Sequence, residues 1–278
     1  PGVRASIDSD IDNIASILRM SGMLPRGMDI APLLSEARRQ LHEEADYTAE
    51  AAHLTAFHAV LADDPGFRLP ALHPDLNTPR VLAMTYLQSD PLQALCEAPQ
   101  DLRDRVAARL ITLVLRELFD FNMMQTDPNL ANYRYDPATG RIVLLDFGAV
   151  MGIDPALAGR FRQLLRAALD HDKPAVETLM REIGYFDTAT SPQHSALIVE
   201  MFETAMTPLR QPEPFDFGTS DIVTRLRDMG IALGRDRDMA HVPPANTLFL
   251  HRKIAGIYLV AAMLKARVPL ASIVAQFR

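Results

Sequence analysis

The sequence is poor in several residue types, and each shortage narrows the classes of protein to consider. It contains no tryptophan and a single cysteine, Cys96, which excludes an intramolecular disulfide framework and suits a reducing compartment. No stretch approaches the ~20 consecutive apolar residues that a membrane-spanning helix needs. The formal net charge of −7 provides no general positive field, so we expect no nucleic-acid partner.

The sequence is also poor in lysine, and nearly all of its basic residues are arginines. The chain has three lysines, Lys173, Lys253 and Lys265, and its other 25 Lys+Arg residues (28 − 3) are arginines. Because the net charge is negative, a phosphate-bearing substrate would need a metal ion to offset the local acid.

Two acids and an amide lie close together in the middle of the sequence. Asp127 and Asn132 are followed by the apolar run 142–145 and then by an Asp-Phe-Gly sequence that begins at Asp146. This spacing predicts loop, short strand, turn, strand, loop, with the three side chains at one end of a hairpin. In kinase-like phosphotransferases one such Asp orients the nucleophile, while an Asn and a second Asp hold magnesium on nucleotide phosphates.

We therefore predict a phosphotransfer site with ATP and Mg²⁺ as cofactors. Asp127 is the predicted catalytic residue, and Asn132 and Asp146 are the predicted metal ligands, since magnesium prefers hard oxygen donors. Residues 127–132 are named the catalytic loop below, and residues 146–148 the magnesium loop.

A kinase-like fold also needs a phosphate-binding lysine before the magnesium loop, and the first lysine here is Lys173. The sequence opens on Pro1-Gly2, without an initiator Met or an apolar signal segment. We expect the chain to be the carboxy-terminal part of a longer protein, with any targeting or anchoring segment in the missing part. On its own it is expected to bind ATP weakly and not to turn it over.

A long helical pattern predicts one helix from about residue 29 to residue 61. Glu44 falls on its apolar face, and a carboxylate in that position needs a partner. In a kinase-like fold this helix presents a Glu to the phosphate-binding lysine, although a Glu at the edge of the stripe, reaching solvent or an Arg, remains open. Asp46 falls on the opposite side if the helix is regular.

Residues 81–87 predict a buried strand that ends at Thr85, Tyr86 and Leu87. In kinase-like folds the chain at this point links the two lobes, and its backbone binds adenine. A plain strand end is the alternative, and the sequence leaves both open.

Other polar residues are interpreted as structural. The second Asp-Phe-Gly begins at Asp216, follows a proline-rich loop instead of a strand, and predicts a turn or a helix start. Arg252 and Lys253 are predicted to lie on a solvated helix face. Four histidines lack the spacing of metal ligands and are predicted to be surface or core residues: His42, His53, His58 and His73.

Seven short segments, spread in order over nearly the whole chain, carry a resemblance to a known family. They are Pro-Gly-Val (1–3), Glu-Ala-Asp-Tyr (44–47), Leu-Arg-Glu-Leu-Phe (115–119), Gln-Thr-Asp-Pro-Asn (125–129), Leu-Leu-Asp-Phe-Gly-Ala (144–149), Glu-Pro-Phe-Asp-Phe-Gly-Thr (213–219) and Leu-His-Arg-Lys (250–253). In these segments the chain resembles the UbiB/ADCK (aarF domain-containing) group of atypical kinase-like proteins, in the branch linked to coenzyme Q biosynthesis.

The resemblance implies an α+β, mostly α-helical, protein-kinase-like fold, mainly the C-lobe with the rear part of the N-lobe. Residues 1–84 would be the partial N-lobe, and 85–278 a helical C-lobe with the catalytic and magnesium loops. Glu44 and Asp46 would form the family's Glu-x-Asp signature, and hence part of the catalytic set. The Lys-x-Gly-Gln segment that this signature faces, the Ala-rich nucleotide loop and the strand lysine are absent from this sequence.

The resemblance also implies an ATPase or phosphotransferase that supports ubiquinone (coenzyme Q) biosynthesis. Its partners would be ATP, coenzyme Q biosynthetic proteins, a membrane lipid surface reached through a preceding region, and a second copy of the chain. It would work in a bacterial cytoplasm, at the membrane periphery, or on the matrix side of a mitochondrion. Two alternatives remain: a non-catalytic pseudokinase scaffold of a lipid-biosynthetic complex, and a small-molecule kinase.

Overall fold

The computed structural model describes residues 3–20, 34, 38, 46–127, 129–188, 190–234 and 244–278. The chain divides into two compact units. The first comprises Pro1–Ser89 and Asp136–Val150, and the second comprises Asp90–Tyr135 and Met151–Arg278. The magnesium loop therefore belongs to the first unit and the catalytic loop to the second, whereas the sequence-based division put both loops in 85–278.

Helices account for most of the described residues, and the strands are short. The helices are α1 (Val3–Met20), α2 (Tyr47–Val60), α3 (Gln100–Phe119), α4 (Pro155–Leu169), α5 (Lys173–Ile183), α6 (Pro192–Met206), α7 (Ile222–Gly234), α8 (Ala245–Met263) and α9 (Leu270–Val274). The strands are β1 (Phe67–Arg68), β2 (Asp90–Pro91), β3 (Met123–Gln125), β4 (Tyr133–Asp136), β5 (Arg141–Leu144), β6 (Val150–Gly152), β7 (Phe215–Asp216) and β8 (Arg267–Val268). No helix in the described ranges is long and apolar enough to cross a bilayer.

The strand–turn–strand order predicted between the two loops is confirmed. β4 ends at Asp136, whose carboxylate accepts the backbone N–H groups of Ala138 and Thr139 and so closes the turn. Gly140 completes the turn at a φ of 69°, in the left-handed region that favours glycine. In the first unit β5 then pairs in parallel with β1, and in the second unit β4 pairs antiparallel with β2.

The single long helix predicted over 29–61 is wrong at Asp46, and residues 29–45, except 34 and 38, lie outside the described residues. Asp46 has non-helical dihedral angles (φ −93°, ψ 79°), and its side chain accepts the N–H of Ala49. This is the geometry of an N-cap, where Asp is strongly preferred, so α2 starts afresh at Tyr47. The helix phase used to orient Glu44 and Asp46 therefore does not run through this point.

The buried strand predicted over 81–87 is also wrong. Only isolated bridges occur there, Thr78 with Val81 and Leu72 with Met84. Val81 is 51% exposed and Tyr86 is 86% exposed. The apolar run lacks a continuous partner because the preceding segment holds prolines, which cannot donate to a strand ladder.

After residue 148 the apolar periodicity of the sequence predicts helices near 155–171, 172–184, 192–207, 219–233 and 246–266. Helices α4 to α8 match these spans within a few residues. Their starts follow from local chemistry: Asp154, Asp172 and Ser191 cap α4, α5 and α6, and a proline follows each cap within the first two helical positions. α5 ends at Gly184, whose φ of 95° is left-handed. These signals, together with the apolar periodicity, confirm the predicted mostly α-helical α+β class.

Apolar residues at every third or fourth position predict a helix over residues 101–125, and helix α3 is shorter than that span. It buries an apolar face that packs against α8 within the second unit. The helix ends at Phe119, and Asn122 takes a φ of 52°, which breaks the helical path. Residues 123–125 then form β3, which places Gln125 at the entrance to the catalytic loop.

Candidate active site

The catalytic loop brings Asp127 and Asn132 together, as their spacing predicts. The Asn132 side-chain Nδ2 donates to Asp127 Oδ2 at 2.8 Å, and the backbone N–H of Asn129 donates to Asp127 Oδ1 at 3.3 Å. Asn129 Oδ1 in turn accepts the N–H of Ala131 and starts a 3-10 turn over Leu130–Asn132. The described residues of the loop are thus linked to one another by their own polar side chains.

The orientation of Asn132 bears on metal binding. Its amide nitrogen is turned to the Asp127 carboxylate, because only the NH₂ end of the amide can donate a hydrogen bond. The amide oxygen is consequently the atom that Asn132 can offer to a cation. A hard oxygen donor of this kind suits Mg²⁺.

Arg252 supplies a positive charge beside Asp127. Its guanidinium Nη2 lies 3.8 Å from Asp127 Oδ1, and its side chain is 50% exposed. The prediction that Arg252 lies on a solvated helix face is therefore incomplete, because its side chain reaches solvent and also pairs with the predicted catalytic Asp127.

The prediction that Lys253 lies on a solvated helix face is wrong, because its side chain is only 1% exposed. Its Nζ contacts Glu117, Gln125 and Tyr133. Lys253 follows Leu250 by three residues and precedes Ile257 by four, and both of these are buried, so the three share one face of α8. That spacing was the signal that could have identified Lys253 as a core residue.

The magnesium loop, in the first unit, packs against α2. The Phe147 ring lies 4.9 Å from the Phe57 ring, and His53 Nδ1 lies 3.0 Å from the Phe147 carbonyl oxygen. The N–H of Gly148 donates to Asp146 Oδ1 at 2.9 Å. His53, predicted as a surface or core residue, therefore holds the backbone of the loop that carries Asp146.

Glu50 is the residue of this region that the sequence reasoning missed. It lies in the first turn of α2, on the same face as His53 and Phe57. Burial and the negative charge of nearby Asp146 raise the pKa of Glu50, and a hydrogen bond with the Phe147 backbone opposes part of that rise. If Asp46 is recognised as the N-cap, the helix begins at Tyr47, and Glu50 lies on the helix face that contacts Phe147. Glu50 could have been identified from the sequence in this way.

Two neighbouring carboxylates are a chemically suitable place for a cation. Among the described residues, no basic side chain forms an ion pair with Glu50 or Asp146. The charge of Asp146 already disfavours ionisation of Glu50, and a bound cation would relieve that repulsion. The described residues contain no cluster of three or more His, Cys, Asp or Glu that could hold a metal by themselves, so a metal here would need other donors as well.

The other predicted site residues are placed as follows. Glu44 lies outside the described residues, and Asp46 caps α2 through Ala49. The N–H of Thr85, in the predicted adenine-binding segment, already donates to the Ala71 carbonyl at 2.8 Å. Tyr86 is largely exposed, whereas the Leu87 side chain is buried.

The second Asp-Phe-Gly is structural, as predicted. Asp216 ends β7, and its carboxylate accepts the N–H of Gly218 at 2.9 Å, which makes it a turn residue. The same carboxylate lies 3.2 Å from the Arg267 guanidinium on the paired strand β8.

Comparison with known proteins supplies the family. The family model described as the ABC1 atypical kinase-like domain matches residues 1–180. The mitochondrial atypical kinase COQ8B of Rattus norvegicus is 36% identical over 268 residues, which cover 96% of this chain and 50% of the relative. The mitochondrial atypical kinase COQ8 of Saccharomyces cerevisiae is 33% identical over 271 residues, 96% of this chain and 54% of the relative. The chain thus spans about half the length of these curated relatives.

A solved structure shares the fold. The complex structure of Rv3197 with erythromycin from Mycobacterium tuberculosis matches 100% of this chain and 69% of its own, with a TM-score of 0.74 and 21% identity. These matches confirm the protein-kinase-like fold and the resemblance to the UbiB/ADCK group. The chain belongs to the ABC1 atypical kinase-like family.

Proposed function

We propose that this chain is the part of an ATP- and magnesium-dependent atypical kinase or ATPase that carries the catalytic and magnesium loops. The observation that carries the proposal is the hydrogen bond between Asn132 and Asp127. It unites, in one loop, a carboxylate that can accept a proton and an amide oxygen that can bind a metal. The family membership supports the same chemistry.

Asp127 is the proposed catalytic residue. Its Oδ2 is held by Asn132 and its Oδ1 faces the Asn129 N–H and Arg252, so the carboxylate cannot rotate freely. A fixed carboxylate can orient a water molecule or an acceptor hydroxyl and accept its proton. Arg252 is proposed to offset the negative charge that gathers beside Asp127 when a phosphate approaches.

Asn132 and Asp146 are the proposed magnesium ligands, the first through its amide oxygen and the second through its carboxylate. When bound, the metal would neutralise charge on the nucleotide phosphates. Gly148 and His53 hold the backbone around Asp146 and thereby fix the direction of its carboxylate.

Glu50 is proposed to receive a cation. Its raised pKa reflects a half-buried carboxylate beside a second negative charge, and either a magnesium ion or a basic side chain would relieve that repulsion. In kinase-like proteins a helix Glu pairs with the phosphate-binding lysine. Glu50 takes that role in our proposal in place of Glu44, because Glu50 contacts the magnesium loop.

The biological setting is proposed from the relatives. Their names describe mitochondrial atypical kinases of the COQ8 type, and we propose that the whole protein supports ubiquinone biosynthesis. Coenzyme Q biosynthetic proteins, a membrane lipid surface and a second copy of the chain are its proposed partners. The proposed location is the mitochondrial matrix side in a eukaryote, or the cytoplasm in a bacterium.

ATP hydrolysis tests the proposal, measured on the complete natural protein that contains this sequence. Asp127→Asn keeps the shape and the link to Asn132 but removes the proton acceptor, so the rate should fall by at least ~10²-fold. Asp154→Asn is the matched control, because Asn caps α4 as well as Asp does. An Asp127→Asn protein as fast as the wild type would contradict the proposal, and a wild type without hydrolysis would favour the scaffold.

A further inference from the structure

The buried ammonium group of Lys253 contacts one residue on each side of the catalytic loop. Lys253 Nζ lies 2.8 Å from the Gln125 carbonyl oxygen and 3.0 Å from Gln125 Oε1. It also lies 2.8 Å from the Tyr133 hydroxyl. Gln125 stands two residues before Asp127, and Tyr133 directly follows Asn132. One ammonium group therefore connects the chain entering the loop with the chain leaving it.

The two flanks are also connected to each other. The Tyr133 hydroxyl accepts from Lys253 and donates to Gln125 Oε1 at 3.0 Å. Both flanking residues are buried, and Glu117 on α3 completes the cluster at 3.1 Å from Lys253 Nζ. These hydrogen bonds link all four buried side chains, although Gln125 Nε2 and Glu117 Oε2 make no hydrogen bond of their own. Hydrogen bonds in a protein interior are electrostatically stronger than exposed ones, so the linked atoms hold one another in place.

The charge of Lys253 is retained in this interior. Burial by itself acts to lower the pKa of Lys253, but the Glu117 carboxylate and the Tyr133 hydroxyl outweigh it, and the pKa ends above its ordinary value. The ammonium is therefore protonated at neutral pH. A neutral amine has only two N–H donors and could not donate to the carbonyl, the hydroxyl and the carboxylate at once.

Stability alone does not account for this cluster. Replacing a buried ion pair by well-packed apolar side chains is often neutral or stabilising, so a Lys–Glu pair is a poor choice for a core that only has to be stable. Lys253 also cannot bind nucleotide phosphates in place of a lysine earlier in the sequence, because it is buried and already contacts three residues. Of its three partners, Gln125 and Tyr133 flank the catalytic loop, and Glu117 on α3 is the counter-ion.

We infer that Lys253 is a positioning residue: its side chain sets the separation of Gln125 and Tyr133 and thereby, through the hydrogen bond from Asn132, the placement of Asp127. The inference rests on the proposed function, since it assigns Lys253 a role in placing the residues proposed for phosphotransfer. Glu117 is the counter-ion that keeps the ammonium in place.

Two variants of the complete natural protein separate positioning from stability. The double variant Glu117→Met/Lys253→Met removes both buried charges together, so no unpaired carboxylate is left in the core. Tyr133→Phe removes only the hydroxyl that links the ammonium to the exit of the loop, and keeps the ring and the Lys253–Glu117 pair. Lys173→Met is the control, because Lys173 is exposed at the start of α5.

The measurements are the thermal midpoint and the kcat and KM for ATP hydrolysis, each with and without Asp127→Asn. We expect a midpoint within a few degrees of the wild type, and kcat lower by at least ~10-fold in the double variant and ~3-fold in Tyr133→Phe. In the Asp127→Asn background the same changes should alter kcat by less than ~2-fold, because their effect passes through Asp127.

Two results would overturn the inference and leave the proposed function intact. The first is a wild-type kcat in the folded double variant or in Tyr133→Phe. The second is a loss of kcat that is just as large when the same changes are made in the Asp127→Asn protein. If the double variant fails to fold, Tyr133→Phe decides the question. An Asp127→Asn protein with wild-type kcat would instead overturn the proposed function, and the inference with it.

Discussion

Burial of Glu50 on α2, together with the negative charge of its neighbour Asp146, holds the pKa of Glu50 above its ordinary value of 4.5. Between pH 4.5 and the raised pKa, the folded protein holds more protons than the unfolded protein, so stability falls as pH rises through that interval. Above that interval Glu50 is ionised in both the folded and the unfolded protein, and its destabilising effect no longer changes with pH. Glu50 therefore weakens the fold at neutral pH in the absence of a cation.

Glu50→Gln should accordingly stabilise the chain at neutral pH, because it removes the half-buried charge while keeping the shape. We expect a thermal midpoint ~1–4 °C above the wild type at pH 7.5, with the difference vanishing below about pH 4.5. Glu97→Gln, at an exposed position, is the control and should show no such pattern. A Glu50→Gln midpoint at or below that of the wild type at pH 7.5 would contradict the placement of Glu50 beside Asp146.

Asp46 provides a prediction about the start of α2. Because its carboxylate accepts the Ala49 N–H, Asp46→Ala should cost ~0.5–2 kcal/mol in the free energy of unfolding, whereas Asp46→Asn should cost almost nothing. Urea unfolding of both variants is the measurement. Equal losses in the two variants would argue against the cap and in favour of a single helix running through residue 46.

The part of the account that the sequence predicted depends on local signals. Asp127 and Asn132 meet because they are five residues apart in one loop, and loop chemistry of that range is readable from a sequence. Helices α4, α5 and α6 carry their caps and prolines beside an apolar periodicity. The strand–turn–strand order between Asp127 and Asp146 is similarly fixed by Asp136 and Gly140.

The part that the sequence did not predict depends on contacts distant along the chain. Lys253 is 136 residues from Glu117 in the sequence, and nothing in the sequence of α8 indicates that its ammonium pairs with a buried carboxylate. Glu50 was overlooked because the helix was started too early, so its phase relative to Phe147 was not considered. Residues 81–87 have strand-forming side chains, but a strand also needs a continuous partner, which only the tertiary structure decides.

The 278-residue chain on its own should bind magnesium–ATP weakly. None of its lysines precedes Lys173, and the sequence holds no glycine-rich or alanine-rich phosphate loop. The phosphates would stay in contact with water, where each charged contact is worth much less than in a closed site. Titration calorimetry should give a Kd of ~1 mM or weaker. Micromolar binding that is lost on Asp146→Asn would show that this chain already contains a complete site.

We propose that the first Asp-Phe-Gly, not the second, serves phosphotransfer. The most direct measurement compares magnesium-dependent ATP hydrolysis by Asp146→Asn and Asp216→Asn in the complete natural protein that contains this sequence. Each change removes one carboxylate charge from an Asp-Phe-Gly turn and keeps its shape. We expect the rate to fall by at least ~10²-fold for Asp146→Asn and to stay within ~2-fold of the wild type for Asp216→Asn. Equal rates in the two variants, or a larger loss for Asp216→Asn, would contradict the account.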